Sequence, residues 1–126
     1  MNEKTPLFQR TVALVAKIPP GKVVSYGQVA NLISAEGCAR HVSYILSSSS
    51  KQYNLPWHRV ISSSGKLSPH KGFHKQLLLL KKEGVVLHNN KTDLEAFGWK
   101  PSETLVRKIL KGLPKHISIF EREGAK

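Results

Sequence analysis

Ile18-Pro19-Pro20-Gly21-Lys22-Val23-Val24-Ser25-Tyr26-Gly27-Gln28-Val29-Ala30 is the stretch whose reading decides the fold. Two prolines followed by glycine close any preceding helix, because proline donates no backbone hydrogen bond and restricts the residue before it. Lys22-Val23-Val24 then reads as a short extended segment. Ser25, with Gln28 three places on, is a capping-box signature that opens a short helix through Val29, Leu32 and Ile33. Ser34-Ala35-Glu36-Gly37 is a turn, and a further helix is predicted from about Cys38 to Leu46. On that helix Ala39, Val42, Ile45 and Leu46 can face inward, while Arg40, Ser43, Tyr44 and Ser47 share another face. Two short helices joined by a glycine-containing turn are a helix-turn-helix candidate.

On the N-terminal side, Thr5 and Pro6 supply an N-cap and a first helical position, and Phe8, Val12 and Val15 recur at helical spacing, giving a helix from about Pro6 to Lys17. On the C-terminal side, Ser47-Ser48-Ser49-Ser50-Lys51-Gln52 reads as a polar linker. Ile61 to Leu67 reads as strand, tight turn and strand, a small β-wing beside the helices. Phe73 to Glu83 reads as a helix closed by Gly84. Its four consecutive leucines, Leu77 to Leu80, cannot share one face and are expected to be buried on several sides. Val85-Val86-Leu87 reads as extended, His88 to Asp93 as a polar loop, and Leu94, Phe97 and Trp99 as cover for the core. Ser102 is expected to cap a helix carrying Leu105, Val106, Ile109 and Leu110 and ended by Gly112. Ile117 to Phe120 could add a strand, and Glu121 to Lys126 is expected to fray. The expected architecture is mainly α: a winged helix-turn-helix domain over residues 1–101 with a C-terminal extension, one short helix and a tail, over residues 102–126.

With 126 residues the chain can form one compact domain with a real core, and hardly two. Twenty Lys and Arg against eight Asp and Glu give a formal charge of +12 and a sequence pI near 10.1. Such an excess attracts polyanions, and counterion release makes nucleic acid the first partner to consider. No apolar run approaches the roughly 20 residues a membrane span needs, and no long basic helix with aromatic anchors stands out, so a membrane partner is not expected. Met1-Asn2-Glu3-Lys4 lacks the pattern of a signal peptide. The single cysteine, Cys38, allows neither an internal disulfide nor a cysteine cluster for zinc, which fits a reducing compartment: cytoplasm with its nucleoid, or nucleus.

Asn54-Leu55-Pro56-Trp57-His58-Arg59-Val60-Ile61 carries the chemistry. Taken alone, Trp57 reads as an ordinary core aromatic; its neighbours change that. The segment resembles the Pro-Cys-His-Arg-Val active-site segment of the alkylguanine-DNA alkyltransferases, with tryptophan where that family keeps its acceptor cysteine. Residues 18–30 resemble the family's Ile-Pro-x-Gly-Lys-Val-x-Thr-Tyr-Gly-x-Ile-Ala segment. Ala39-Arg40-His41-Val42 resembles the start of its recognition helix, and Glu83-Gly84-Val85 completes the ordered set. The likeness spans roughly Phe8 to Trp99 and is nearest to the alkyltransferase-like branch, which replaces the cysteine, commonly with tryptophan.

The resemblance implies a non-enzymatic protein that binds O6-alkylguanine in duplex DNA by nucleotide flipping and flags it for nucleotide excision repair proteins, as a monomer and without a cofactor. Alkyl transfer needs a deprotonatable nucleophile, which a thiol provides and an indole does not. It implies that Tyr26 presses on the phosphate of the target nucleotide and that Arg40 enters the vacated stack. Trp57, Pro56 and Tyr26 then line the lesion pocket, and Ser25, Gln28, Ala39, Arg40, Ser43 and Tyr44 meet DNA. His58 and Glu83 match the remainder of a Cys-His-Glu relay and, with Arg59, are expected to hold the loop in shape. For Tyr26 plain packing is the rival reading, and for Arg40 a solvated surface charge.

Three departures from the family pattern stand out. Ser43 and Tyr44 replace glycine or small residues on the recognition helix, Ser68-Pro69-His70-Lys71-Gly72-Phe73 replaces the usual loop beside the pocket, and the segment from Ser102 onward is extra. Its Arg107, Lys108 and Lys111 read first as a solvated face and second as phosphate contacts. His70 and His74, four apart, lack a third ligand and are not expected to bind metal. Two rival functions stay open: a sequence-specific winged-helix regulator, and an alkyltransferase using Cys38, whose thiol would be activated if it were exposed at a helix N-terminus.

Overall fold

A computed structural model describes residues 5–67 and 70–116. The Thr5 hydroxyl accepts a hydrogen bond from the Phe8 N–H at 3.3 Å and starts α1, Pro6–Val15, with proline at its first position. After the Pro19-Pro20-Gly21 turn comes β1, Val24–Ser25. The Ser25 hydroxyl accepts from the Gln28 N–H at 3.0 Å and opens α2, Tyr26–Leu32. The second half of the expected capping box is absent: the Gln28 amide reaches away to the Trp99 carbonyl at 2.6 Å. Helix α3 spans Ala39–Tyr53, a 3₁₀ turn spans Trp57–Arg59, and β2 follows at Val60–Ile61. Helix α4 covers Phe73–Lys82, α5 covers Leu94–Phe97 and α6 covers Glu103–Leu110, capped by the Ser102 hydroxyl at 3.1 Å from the Leu105 N–H.

Three sequence expectations are corrected. Ser47 to Gln52 is not a linker; it forms the last two turns of α3. Serine favours loops because its hydroxyl competes for the backbone, but here that competition is resolved inside the helix. Ser50 donates to the Leu46 carbonyl at 2.6 Å and Ser48 to the Tyr44 carbonyl at 3.1 Å, while Ser49 and Ser50 are buried. Asn54, left-handed at φ 51°, then ends the helix, and the Leu55 N–H turns back to the Ser50 carbonyl as Leu55 is buried.

Second, Ile61 does not pair with Leu67 in a hairpin. β1 and β2 form a parallel pair, Val24 opposite Val60 and Ser25 opposite Ile61, and Lys66 bridges to Lys91 instead. Third, the leucine run is buried on one side only. Leu80 is fully enclosed whereas Leu78 is 68% exposed, because α4 lies over the rest of the domain with its outer face open. The expected strand at Ile117 to Phe120, the frayed end at Glu121 to Lys126 and the loop residues Ser68 and Pro69 lie outside the described residues.

The main core joins α1, α2, α3 and α6 through Leu14, Val15, Val29, Ile33, Ile45 and Leu110. A smaller cluster of Val23, Ile61, Leu67, Leu80 and Val85 underlies α4, with Leu94 and Phe97 packed against it. The two-residue parallel pair contributes to both clusters, with Val24 and Val60 in the first and Ile61 in the second. Its consequence for function is positional: the start of α2 is held beside the residues that follow Trp57.

The open outer face of α4 gives a direct test. Leu80→Ala should cost about 2–5 kcal/mol and Leu78→Ala less than about 0.5 kcal/mol, measured by urea unfolding; similar losses would show that both faces are packed.

Candidate nucleic-acid interface

Glu83 ends α4 with its carboxylate turned inward, where it gathers three chain segments. The His58 ring meets it at 2.9 Å through Nε2, Arg59 donates at 2.6 Å from a terminal nitrogen and at 3.0 Å from Nε, and the Gly21 N–H donates at 3.2 Å. The other terminal nitrogen of Arg59 donates to the Ile18 carbonyl at 2.8 Å. Burial alone would raise the pKa of Glu83, but the hydrogen bonds from Arg59, His58 and Gly21, together with the charge of His58, outweigh it. Its carboxyl is lowered from the ordinary 4.5 to about 2. The structure thus brings His58, Arg59 and Glu83 together in one hydrogen-bonded group.

Trp57 stands at the edge of the cluster, half-buried, its ring edge-on to His58 at 6.2 Å and to His70 at 6.3 Å. With Pro56, Asn54, Lys75 and Leu79 it lines an open cleft of about 430 Å³. Among the described residues its indole N–H has no hydrogen-bond partner. Tyr26 does not line this cleft; its ring packs against the main core and its hydroxyl lies near Ser43 on α3. Burial pushes the Tyr26 phenol above its usual pKa, opposed by the Ser43 hydrogen bond, so it is neutral at physiological pH.

His70 is a contact that sequence reasoning missed. It accepts the Gly72 N–H at Nδ1, 3.0 Å away, which leaves Nε2 to donate to the Gln76 carbonyl oxygen at 3.0 Å. The Gln76 amide in turn donates to the carbonyls of His58 and Val60 at 3.3 and 3.4 Å. A Cβ at position 72 would sit 3.1 Å from the far edge of the indole, so glycine there lets the loop close on Trp57. Thirteen residues separate Trp57 from His70, and no local pattern announces a contact that only the placement of α4 creates.

On α3, Arg40, His41, Tyr44, Ser47 and Lys51 are exposed, with Tyr44 at 56%. The stretch from Gly37 to Tyr53 contains no Asp or Glu. Ala39 and Ser43 are half-buried on the same helix, as is Ser25 at the start of α2. The face thus combines a guanidinium, an aromatic ring, hydroxyls and an ammonium group, a set suited to phosphates and base edges. Among the described residues no three His, Cys, Asp or Glu side chains converge to hold a metal ion.

A family model described as 6-O-methylguanine DNA methyltransferase, DNA binding domain, matches residues 6–85. A DNA base-flipping protein of Vibrio parahaemolyticus is 37% identical over 91 residues, covering 71% of this chain and 91% of the relative. Alkyltransferase-like protein 1 of Schizosaccharomyces pombe is 34% identical over 102 residues, covering 75% and 94%. The crystal structure of S. pombe Atl1 with damaged DNA containing O6-carboxymethylguanine superposes with a TM-score of 0.69 at 31% identity, over 75% of this chain and 94% of that one. Mycobacterium tuberculosis OGT in complex with DNA gives a TM-score of 0.56 at 35% identity, over 64% of this chain and 49% of that one.

Because Glu83 titrates lower in the folded protein, its contribution to stability is complete above its ordinary value of 4.5 and is lost as pH falls towards about 2. Glu83→Gln should lower stability at pH 7 by about 1.5–3 kcal/mol and flatten the acid limb of stability against pH. Denaturant unfolding between pH 2 and 7 measures both, and an unchanged acid limb in the variant would place the titrating group elsewhere.

Proposed function

Because the chain belongs to the family of the 6-O-methylguanine DNA methyltransferase DNA-binding domain, we propose that it is a non-enzymatic sensor that binds O6-alkylguanine in duplex DNA and flips it from the stack. The observation that carries this reading is Trp57: an indole whose N–H has no partner among the described residues lines the cleft beside the His58, Glu83 and Arg59 cluster, where alkyl transfer would require a thiolate. An aromatic wall with one donor can hold a base without reacting with it.

The energetics support flipping. Extruding a base costs a few kcal/mol, least for a poorly paired one such as O6-alkylguanine. Stacking on Trp57 returns about 1–3 kcal/mol, and the Arg40 guanidinium filling the gap adds about 0.5–2 kcal/mol as a cation against neighbouring bases. Tyr26, neutral and packed against the main core, sits at the start of α2 as a surface for the phosphate of the rotated nucleotide. In this reading α2 and α3 act as a helix-turn-helix, and the Ser62 to Lys66 turn with its Lys91 bridge takes the place of the wing. Nucleotide excision repair proteins are the proposed recipients of the bound lesion.

The test is a titration, at fixed salt, of duplexes that differ only in O6-methylation of one guanine, followed by the mass of the protein. A preference for the methylated duplex with no mass gain is expected. Equal affinity would point to a regulator, and a methyl mass gain to thiol chemistry at Cys38. Arg40→Ala should weaken lesion binding more than Lys108→Ala does, and equal losses would remove the stack-filling role.

A further inference from the structure

Residues 111–116, Lys-Gly-Leu-Pro-Lys-His, lie beyond the stretch matched by the family model, yet they are fastened to the entrance of α3. Helix α6 packs on α1, and Leu110 is buried in the main core with Leu113 against it. Gly112, at φ 84°, turns the chain back at the end of α6. The Pro114 carbonyl then accepts from Arg10 at 3.4 Å. Arg10 is itself buried, and its Nε donates to the Ile33 carbonyl at 2.9 Å, at the end of α2. Beyond Pro114, His116 Nε2 stands 3.9 Å from the Cys38 sulfur, and Cys38 is the residue that caps α3, two positions before Arg40. One buried guanidinium and one thiol–imidazole contact therefore hold this segment along the turn between α2 and α3.

Among the described residues its charge is not neutralised. Lys111 and Lys115 are exposed and make no ion pair among the described residues, and Glu36 in the adjoining turn, also exposed, makes none either. Arg107, by contrast, is paired with Glu103 at 2.6 Å on the open face of α6. A lysine beside a buried anchor is restrained in position, so less conformational entropy is lost when it meets a fixed partner than for a lysine on a free tail.

We propose that residues 111–116 form a phosphate-binding flank beside Arg40, with Lys115 as its principal charge, lengthening the DNA footprint past the entrance of α3. The inference rests on the reading that α3 faces DNA. The contact is to the diester backbone, so it adds affinity evenly to damaged and undamaged duplexes.

The test measures affinity for the methylated and plain duplexes across a salt series, using the full chain and the variants Lys115→Ala and Lys108→Ala. Lys115→Ala should reduce the slope of log affinity against log salt by about one unit. It should weaken both duplexes by the same factor and leave the unfolding midpoint unchanged. A Lys115→Ala slope equal to that of the unmodified chain, or a slope that Lys108→Ala lowers equally, overturns the flank. If the unmodified chain shows no lesion preference, the sensor reading fails while the slope comparison still decides the flank.

Discussion

The carboxylate of Glu83 is the constraint on which the rest of the site depends. It is negative in a chain with twelve more basic than acidic residues, and it is largely enclosed, so its value depends on the donors around it. Those donors come from the turn after α1 and from the segment between α3 and β2, and Arg59 adds a second tie to the Ile18 carbonyl. One side chain thus fixes the end of α4, the Pro19-Pro20-Gly21 turn and the position of Trp57. Removing it would strand Arg59 as a partly buried cation, a larger penalty than the loss of one surface ion pair.

From that junction the geometry spreads in two directions. Through the 3₁₀ turn it sets the angle of the indole, which Gly72 and His70 close from the other side. Through β2 it reaches β1, and so the start of α2, where the Tyr26 hydroxyl lies near Ser43 of α3. The segment after Trp57 and the start of α2 are therefore joined by the short backbone pairing of β1 with β2. His58 and Glu83 are hydrogen-bonded to each other, and Arg59 to Glu83, beside an indole that is far too weak an acid to be deprotonated near neutral pH.

Several elements were legible from local chemistry. Thr5, Ser25 and Ser102 each accept the N–H three residues on, as their position before an apolar-periodic run implied. The cluster of His58, Arg59 and Glu83 was legible only through the ordered likeness to a family, since 24 residues separate Arg59 from Glu83. The serine run misled because its composition favours a loop; packing against the core and bonds to carbonyls one turn back made it helix. The leucine run misled in the opposite sense, since hydrophobicity does not say how many neighbours a helix will find.

The amino-acid sequence by itself determined the helix starts, the basic character and the absence of a nucleophile at position 57, because caps, charge and side-chain chemistry are properties of residues and their near neighbours. Only the tertiary structure decided that Ile61 pairs with Ser25, that His70 rests against Trp57 and that the segment after α6 is fastened beside Cys38. Those contacts join residues from 13 to 78 positions apart. Their partners are chosen by which buried polar groups and apolar faces remain to be satisfied once the helices have packed, a condition that no local stretch of chain contains.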